Sequence, residues 1–178
     1  MKCRRFALAL AASLTLCAQQ EATDDRRSLQ ATMRVLEQNL PQTVNYVVTT
    51  RNHADGSYAP PISRAYELSN VTTGPDGCTL RFHKSHGALN QDLEIPLQFV
   101  NDKGIKLRTM DQTAQERNIR EGHPELAMTT QPTVFMVTVS SPNVTTTFFF
   151  TDKAMADRVS QALRRASALC PDYTNGWR

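Results

Sequence analysis

Residues 144–171 read VTTTFFFTDKAMADRVSQALRRASALCP, in which a run rich in Thr and Phe passes directly into an amphipathic helix. Thr and Phe favour strands, so residues 144–151 are predicted to form the last strand. Thr151 or Asp152 can cap the helix, and Pro171 ends it because proline cannot continue a helix. The apolar residues of the helix recur at helical spacing, and they are Met155, Val159, Ala162, Leu163, Ala166 and Leu169. The sequence therefore predicts a strand-rich domain that ends in a helix with one buried face.

The chain before residue 144 alternates between apolar and polar residues, which is the period of half-buried strands. Six further strands are predicted, at residues 43–50, 62–71, 78–83, 93–99, 105–107 and 133–140. The sequence Asn-Asp-Lys-Gly at 101–104 is typical of a hairpin turn, which would pair the fourth strand with the fifth. With the last strand the total is seven, so the predicted fold class is α+β and mainly β.

Residues 110–132 interrupt this alternation, because they are rich in Gln, Glu, Arg and Thr and have no sustained period. We interpret them as a long loop that contains one turn of helix around residues 113–120. Loops longer than about 12 to 15 residues are uncommon in compact domains and are often functional. This loop is therefore a candidate surface for a protein partner.

A second amphipathic helix is predicted before the strands, at about residues 24–40. Its apolar stripe comprises Leu29, Met33, Leu36 and Leu40. Such a stripe either packs on the protein's own domain or pairs with a partner helix. The predicted organisation is a polar segment with this helix at 19–42, a domain at 43–170 and a short tail at 171–178.

The first 18 residues have the pattern of a cleavable secretion signal. Lys2, Arg4 and Arg5 precede an uncharged run at 6–18, which is too short to cross a bilayer in a helix of about 20 residues. We therefore expect an exported protein, periplasmic or extracellular. The segment that ends at Cys17 also resembles a bacterial lipoprotein signal, which would place a lipid on Cys17. Attachment to a membrane is expected only through that lipid.

Removal of this signal changes both the net charge of the chain and the number of its cysteines. The chain has 20 basic and 17 acidic residues, and three of the basic residues lie in the signal, so the remainder is balanced. Nucleic-acid binding needs a basic surface, and no such partner is expected.

Of the four cysteines, Cys78 and Cys170 lie in the folded part. In an oxidising compartment these two are natural disulfide partners, and two separately buried thiols are the alternative.

Seven strands followed by a helix, from about residue 43 to 169, resemble the pleckstrin-homology-like (PH-like) fold in the order of their elements. That resemblance implies two antiparallel sheets in a barrel or sandwich, capped by the C-terminal helix. A lipocalin-like barrel is the alternative, and it needs an eighth strand. The chain is also similar to small exported bacterial proteins of unknown function. The first inter-strand loop offers only Arg51 and His53 as basic groups, so phosphoinositide binding is not expected.

The sequence offers few groups for chemistry. His83 and His86 form the closest histidine pair, but residues three apart on a strand point to opposite faces, so a metal site is not expected. The chain has neither a Gly-x-Ser-x-Gly elbow nor a Gly-rich phosphate loop. Neither catalytic residues nor a cofactor are therefore predicted.

These observations favour a non-catalytic interaction module of the cell envelope or outside the cell, with a protein partner. A small carrier of an apolar ligand is the first alternative, and it would have a cavity lined by residues such as Leu93, Ile95 and Phe148. An unrecognised hydrolase is the second, and it would bring His83 or His123 close to a carboxylate in a concave site.

Overall fold

The computed structural model of the protein describes residues 24–170, which form an α+β fold that is mainly strand. The strands are β1 (Gln42–Asn52), β2 (Ile62–Thr73), β3 (Thr79–His86), β4 (Leu89–Pro96), β5 (Ile105–Thr109), β6 (Leu126–Gln131), β7 (Phe135–Ser140) and β8 (Thr145–Phe150). The helices of the described residues are α1 (24–39), α2 (Met110–Arg120) and α3 (Lys153–Leu169). The fold class predicted from the sequence, with an N-terminal and a C-terminal helix, is confirmed.

The strands form two antiparallel sheets. Across residues 24–170, one sheet has five strands in the order β4-β3-β2-β1-β6, and the other has three in the order β5-β7-β8. Strand β1 connects two parts of the larger sheet, because residues 42–48 pair with β2 and residues 47–52 pair with β6. Strand β6 thus pairs with β1, whereas in an up-and-down barrel it would pair with its neighbours in sequence.

One hydrophobic core joins the two sheets and α3. Leu68 of the larger sheet, Val137 of the smaller sheet and Leu163 of α3 are almost fully buried in the same cluster. Helix α3 contacts β5, β7 and β8. Most of its predicted stripe is buried, and Asp152 caps its first turn by accepting hydrogen bonds from two backbone N–H groups. The amphipathic pattern therefore located this helix and its buried face correctly.

Helix α1 packs onto the same core. Met33, Leu36 and Leu40 of its stripe are buried in the cluster. Arg165 of α3 donates a hydrogen bond to the hydroxyl of Ser28, at 2.7 Å. Of the two alternatives for this stripe, packing on the protein's own domain is the one observed.

The prediction of a long loop at residues 110–132 was wrong, and the single turn of helix expected around residues 113–120 is part of a longer helix. Residues 110–132 form helix α2 and strand β6, which raises the number of strands from the predicted seven to eight. Thr109 and Gln112 form a reciprocal capping box at the start of α2, with each side chain accepting a bond from the other's backbone. Only Ala114 and Asn118 of α2 are buried, and because neither is strongly apolar, the helical period was not visible in the sequence.

The strand predicted at 93–99 begins earlier and ends at Pro96. A short 3-10 turn follows at Leu97–Phe99, where the backbone N–H of Leu97 donates to the carbonyl of Cys78. The predicted hairpin between the fourth and fifth strands is also wrong, because β5 pairs with β7 in the other sheet. Residues 97–104 instead carry the chain from the larger sheet to the smaller one.

The predicted disulfide between Cys78 and Cys170 is confirmed, with a distance of 5.7 Å between the two Cα atoms. Cys78 directly precedes β3, and Cys170 directly follows α3. The bond therefore fastens the C-terminal helix to the larger sheet. Disulfides of this kind persist in oxidising compartments.

In the part of the chain from 24 to 170, no helix is both long and apolar enough to cross a membrane. The predictions made for residues 1–18, for a lipid on Cys17 and for the tail at 171–178 lie outside the described residues.

Candidate functional site

A cleft lies between the inner face of the larger sheet and helix α2, and we call it the β1–α2 cleft. Its volume is about 400 Å³, and residues of β1, β2, β3, β6, β7 and α2 line it. Its sheet side follows from the strand register, because Tyr46 lies opposite Arg64 and Val48 lies opposite Ile62. Paired residues of neighbouring strands point to the same face of a sheet, so these four side chains share the wall of the cleft.

The floor of the cleft is apolar. Met110 at the start of α2, Met128 on β6 and Met136 on β7 line it, together with Val48 and Ala114. Methionine is unbranched and polarizable, so it adapts its shape to different apolar groups. This floor can therefore accept an apolar side chain without demanding one particular shape.

Polar contacts with β6 and its flanks hold α2 in place as the second wall. The side-chain amide of Asn118 donates to the backbone carbonyl of Leu126 at 2.9 Å. The hydroxyl of Thr130 donates to the carboxylate of Asp111 at 2.9 Å, and it accepts from the backbone N–H of Val134. Asn118 and Thr130 are both buried, so these bonds are protected from water. These bonds therefore fasten α2 to β6 and position it as the second wall of the cleft.

The edge of the cleft carries basic groups. Arg64 on β2, Arg117 on α2 and His86 on β3 are among its lining residues, which include neither Asp nor Glu. Within residues 24–170, Arg64 and Arg117 form no ion pair, whereas Arg108 near the start of α2 pairs with Glu116. The cleft thus combines an apolar floor with positive charge that no described acidic side chain neutralises by direct contact.

An aromatic cluster supports the sheet side of the cleft. The Tyr46 hydroxyl and His86 Nε2 are hydrogen-bonded at 2.9 Å. The Phe149 ring packs edge-on against His86, with 5.0 Å between ring centroids, and stacks on Tyr66 at 4.7 Å. Burial, with smaller contributions from Lys84 and Arg64, lowers the pKa of His86, while burial raises the pKa of Tyr46. Both side chains of this hydrogen-bonded pair are therefore uncharged at neutral pH.

Lys84 lies on the same inner face and bridges the two sheets. Its Nζ donates to the backbone carbonyl of Thr147 at 3.0 Å and lies 5.7 Å from the centroid of the Tyr66 ring. Burial lowers the pKa of this amine. The side chain of Gln42 donates to the carbonyl of Phe149, two residues further along β8, at 2.7 Å. These two side chains cover the free edge of β8, which would otherwise offer unpaired carbonyls to another strand.

The histidines singled out from the sequence do not form a common site. His83 and His86 lie on opposite faces of β3, as the strand period requires. His83 is bonded to Asp92 and Asn90, and these bonds raise its pKa. His123 Nδ1 lies 3.4 Å from the carboxylate of Glu125. Throughout the described chain, no group of three or more His, Cys, Asp or Glu side chains is placed to hold a metal ion.

Side chains fill the space that a carrier would need between the sheets. Ile95 and Phe148 are 1% and 0% exposed. Phe82 packs edge-on against Phe148, with 5.3 Å between the ring centroids. Leu93 packs against the same core. The residues proposed to line an internal cavity are therefore packing residues.

Sequence reasoning missed Tyr46, Arg64 and Arg117 as site residues. Tyr46 and Arg64 belong to strands that were predicted, but their pairing depends on a register that the alternation does not give. Arg117 lies in the segment interpreted as a loop. That segment was nevertheless the candidate partner surface, and it supplies a wall and part of the floor of the cleft.

Comparisons with known proteins do not assign the chain to a family, because no family model, no curated protein and no solved structure matches it. The resemblance to the PH-like fold and to small exported proteins thus remains a prediction from the sequence. What the structure defines is a mainly-β protein of two antiparallel sheets, fastened by one disulfide and carrying a basic, apolar-floored cleft.

Proposed function

We propose that this protein is an exported, non-catalytic interaction module that holds a polypeptide segment of a partner in the β1–α2 cleft. The observation that carries the proposal is the combination of an apolar methionine floor with a basic edge, on walls that are fixed by buried hydrogen bonds. Binding sites typically combine mostly apolar lining with a few polar groups that fix orientation.

A binding role fits this cleft better than catalysis. His86 is the histidine among the lining residues, and its hydrogen-bond partner within the described residues is the hydroxyl of Tyr46. General acid–base or nucleophilic catalysis needs a base oriented by a further group, and carboxylates usually serve that purpose. The histidine–carboxylate contacts of His83 and His123 lie outside the residues that line the cleft. These arrangements favour recognition over chemistry.

A polypeptide segment is a better occupant than an enclosed small molecule. The cleft lies at the surface between a sheet and a helix, and Ile62 at its edge is 47% exposed. Adaptable methionine surfaces are used to bind varied partner segments. A carrier of apolar ligands, the alternative function, would have to use a cleft at the surface, because side chains fill the space between the sheets.

Export is the second part of the proposal. It is supported by the disulfide and by the signal pattern of residues 1–18. Cleavage after residue 18 gives a free protein, whereas a lipid on Cys17 gives a membrane-held one. Mass spectrometry of the protein purified from its own cells separates the two, because lipidation adds a mass that cleavage alone does not.

A substitution that fills the cleft tests the binding site. Thr113 lines the cleft on α2, so Thr113→Trp places an indole inside it. Ile119→Trp is the matched control, because Ile119 lies on the same helix, is 58% exposed and is not among the lining residues. Peptides selected from a random displayed library against the unmodified protein should lose binding by about tenfold or more in Thr113→Trp, as expected when a central contact is blocked.

The same peptides should bind the Ile119→Trp protein with unchanged affinity. Circular dichroism and thermal melting of both variants verify that each is folded. If the selected peptides bind the Thr113→Trp protein as well as the unmodified one, the cleft is not the binding site and the proposal is wrong.

A further inference from the structure

We infer that the partner segment recognised by the β1–α2 cleft is acidic: it places an apolar side chain on the methionine floor and a neighbouring carboxylate between Arg64 and Arg117. This inference rests on the proposed function, and it adds the chemistry of the partner to it. The carboxylate belongs to Asp, to Glu or to a chain terminus.

The charges around the cleft point to an anionic occupant. Some arginines of the described chain have acidic partners, such as Arg81 with Glu94 at 2.9 Å and Arg164 with Asp102 at 2.9 Å. Arg64 and Arg117 are among the arginines that make no ion pair within residues 24–170, and both line the same concave surface. In a chain whose charges balance once residues 1–18 are set aside, this local excess of positive charge favours a negative ligand.

The two arginines come from different walls. Arg64 lies on β2, opposite Tyr46 in the sheet, and Arg117 lies on α2. A guanidinium group offers a planar set of N–H donors that matches a carboxylate, and charge-assisted bonds of this kind are stronger than neutral ones. A carboxylate between the walls can therefore accept hydrogen bonds from both sides. Clusters of arginine are a recurrent means of recognising acidic motifs.

The apolar part of the ligand follows from the floor. Met110, Met128 and Met136 line the cleft beneath the arginines, and Ile62 is exposed at its edge. A purely polar anion would leave this apolar surface in water, whereas an apolar side chain beside a carboxylate would cover it. His86 is uncharged at neutral pH, since burial lowers its pKa, so it contributes hydrogen bonding there and not charge. The arrangement thus fits an apolar residue with an acidic neighbour.

A pair of matched peptides tests this chemistry. One synthetic, fluorescently labelled peptide carries Leu and Phe flanked by Glu, and the other has every Glu replaced by Gln. Fluorescence anisotropy with the purified protein should give about tenfold tighter binding of the Glu peptide, the usual size of a lost charge-assisted hydrogen bond. Raising the salt concentration should weaken binding of the Glu peptide alone, because salt screens exposed charges.

Variants of the two arginines connect the effect to the cleft. Arg64→Gln and Arg117→Gln should each weaken binding of the Glu peptide by about tenfold and leave the Gln peptide unaffected. Arg158→Gln on α3 is the matched control, because it removes an exposed arginine that is not among the lining residues. All three positions are exposed, so the variants should keep the fold, and circular dichroism verifies this.

The outcomes separate the inference from the proposed function. Equal binding of the Glu and Gln peptides, with no loss in either arginine variant, would overturn the acidic partner and leave the binding module intact. Failure of both peptides, together with no Thr113→Trp effect on library-selected peptides, would overturn both. Binding to phosphatidylglycerol vesicles in place of the Glu peptide would also overturn the inference, because the anionic partner would then be a membrane.

Discussion

Replacing Cys78 and Cys170 together by Ala should lower the free energy of unfolding by about 4 to 5 kcal/mol. The two cysteines are 92 residues apart in sequence, so the disulfide closes a long loop in the unfolded chain. For a loop of about this length, the chain-entropy model gives a stabilisation near 4.7 kcal/mol. Small domains have unfolding free energies of only about 5 to 15 kcal/mol, so this bond supplies a large part of the total.

The buried position of the disulfide supports a loss of unfolding free energy as large as the chain-entropy model gives. Cys78 and Cys170 are 3% and 6% exposed, and both belong to the hydrophobic core. The carbonyl of Cys78 accepts a hydrogen bond from Leu97, and the N–H of Cys170 donates to Ala166. Both ends are therefore anchored to regular elements in the folded state. The main effect of the bond is to restrict the unfolded chain, and removing it need not rearrange the core.

Urea denaturation followed by circular dichroism measures the change. The oxidised protein, the same protein in a thiol reductant and the double alanine variant are compared. Reduction should cost nearly as much as the double substitution, and the reductant should have no effect on the variant. The midpoint of thermal unfolding should fall by about 10 to 15 °C, as expected for a loss of this size in a chain of this length.

Two results would refute this reasoning. A double variant whose unfolding free energy lies within about 1 kcal/mol of the oxidised protein would show that the loop closure contributes little. Two free thiols in the unreduced, folded protein would show that the bond does not form. The second result would also weaken the argument for export, because the disulfide is part of its support.

Two further predictions concern α1 and the histidines of β3. Glu37 of α1 accepts hydrogen bonds from the backbone N–H and the hydroxyl of Thr73, at 2.7 and 2.6 Å. Glu37→Ala should therefore lower the free energy of unfolding by about 1 to 3 kcal/mol. Glu121→Ala is the control, and it should have almost no effect because Glu121 is exposed. Equal urea midpoints for these two variants would contradict the docking of α1. In an NMR titration, His86 should titrate below the ordinary histidine pKa of about 6.5 and His83 above it. Because folding lowers the pKa of His86, the contribution of His86 to stability falls as the pH drops below 6.5. Folding raises the pKa of His83, so His83 contributes stability at low pH, and this stability is lost as the pH rises through the raised pKa. The reverse order of the two midpoints would show that the environments are misassigned.

Local sequence patterns were sufficient for much of the fold. The helical spacing of Val159, Leu163 and Ala166 gave α3 and its buried face, and the same reasoning gave α1. Alternation gave most strands, because a half-buried strand must place apolar residues on one face only. Cys78 and Cys170 could be paired because no other cysteine follows residue 18. These features depend on residues that are close in sequence or few in number.

The prediction failed where the local signal was weak. Helix α2 buries only Ala114 and Asn118, so its sequence is mostly polar and lacks a helical stripe. Its stability comes from the capping box at Thr109 and from polar contacts with β6 and its neighbours. Strand β6 is likewise held by pairing with β1, a segment distant in sequence. Contacts between distant segments leave no period in the sequence.

Local patterns in the chain predict a mainly-β domain that ends in an amphipathic helix, with Cys78 and Cys170 as natural disulfide partners. Packing between distant segments places β5 in the other sheet instead of its predicted hairpin, and it pairs β6 with β1. Those two pairings place α2 across the inner face of the larger sheet, and so they bring Arg117 to the same cleft as Arg64 and Tyr46. Side-chain periods record which face of an element is buried, but they do not record which element covers that face. The candidate site depends on which element covers the inner face of the larger sheet, and packing between distant segments determines that element.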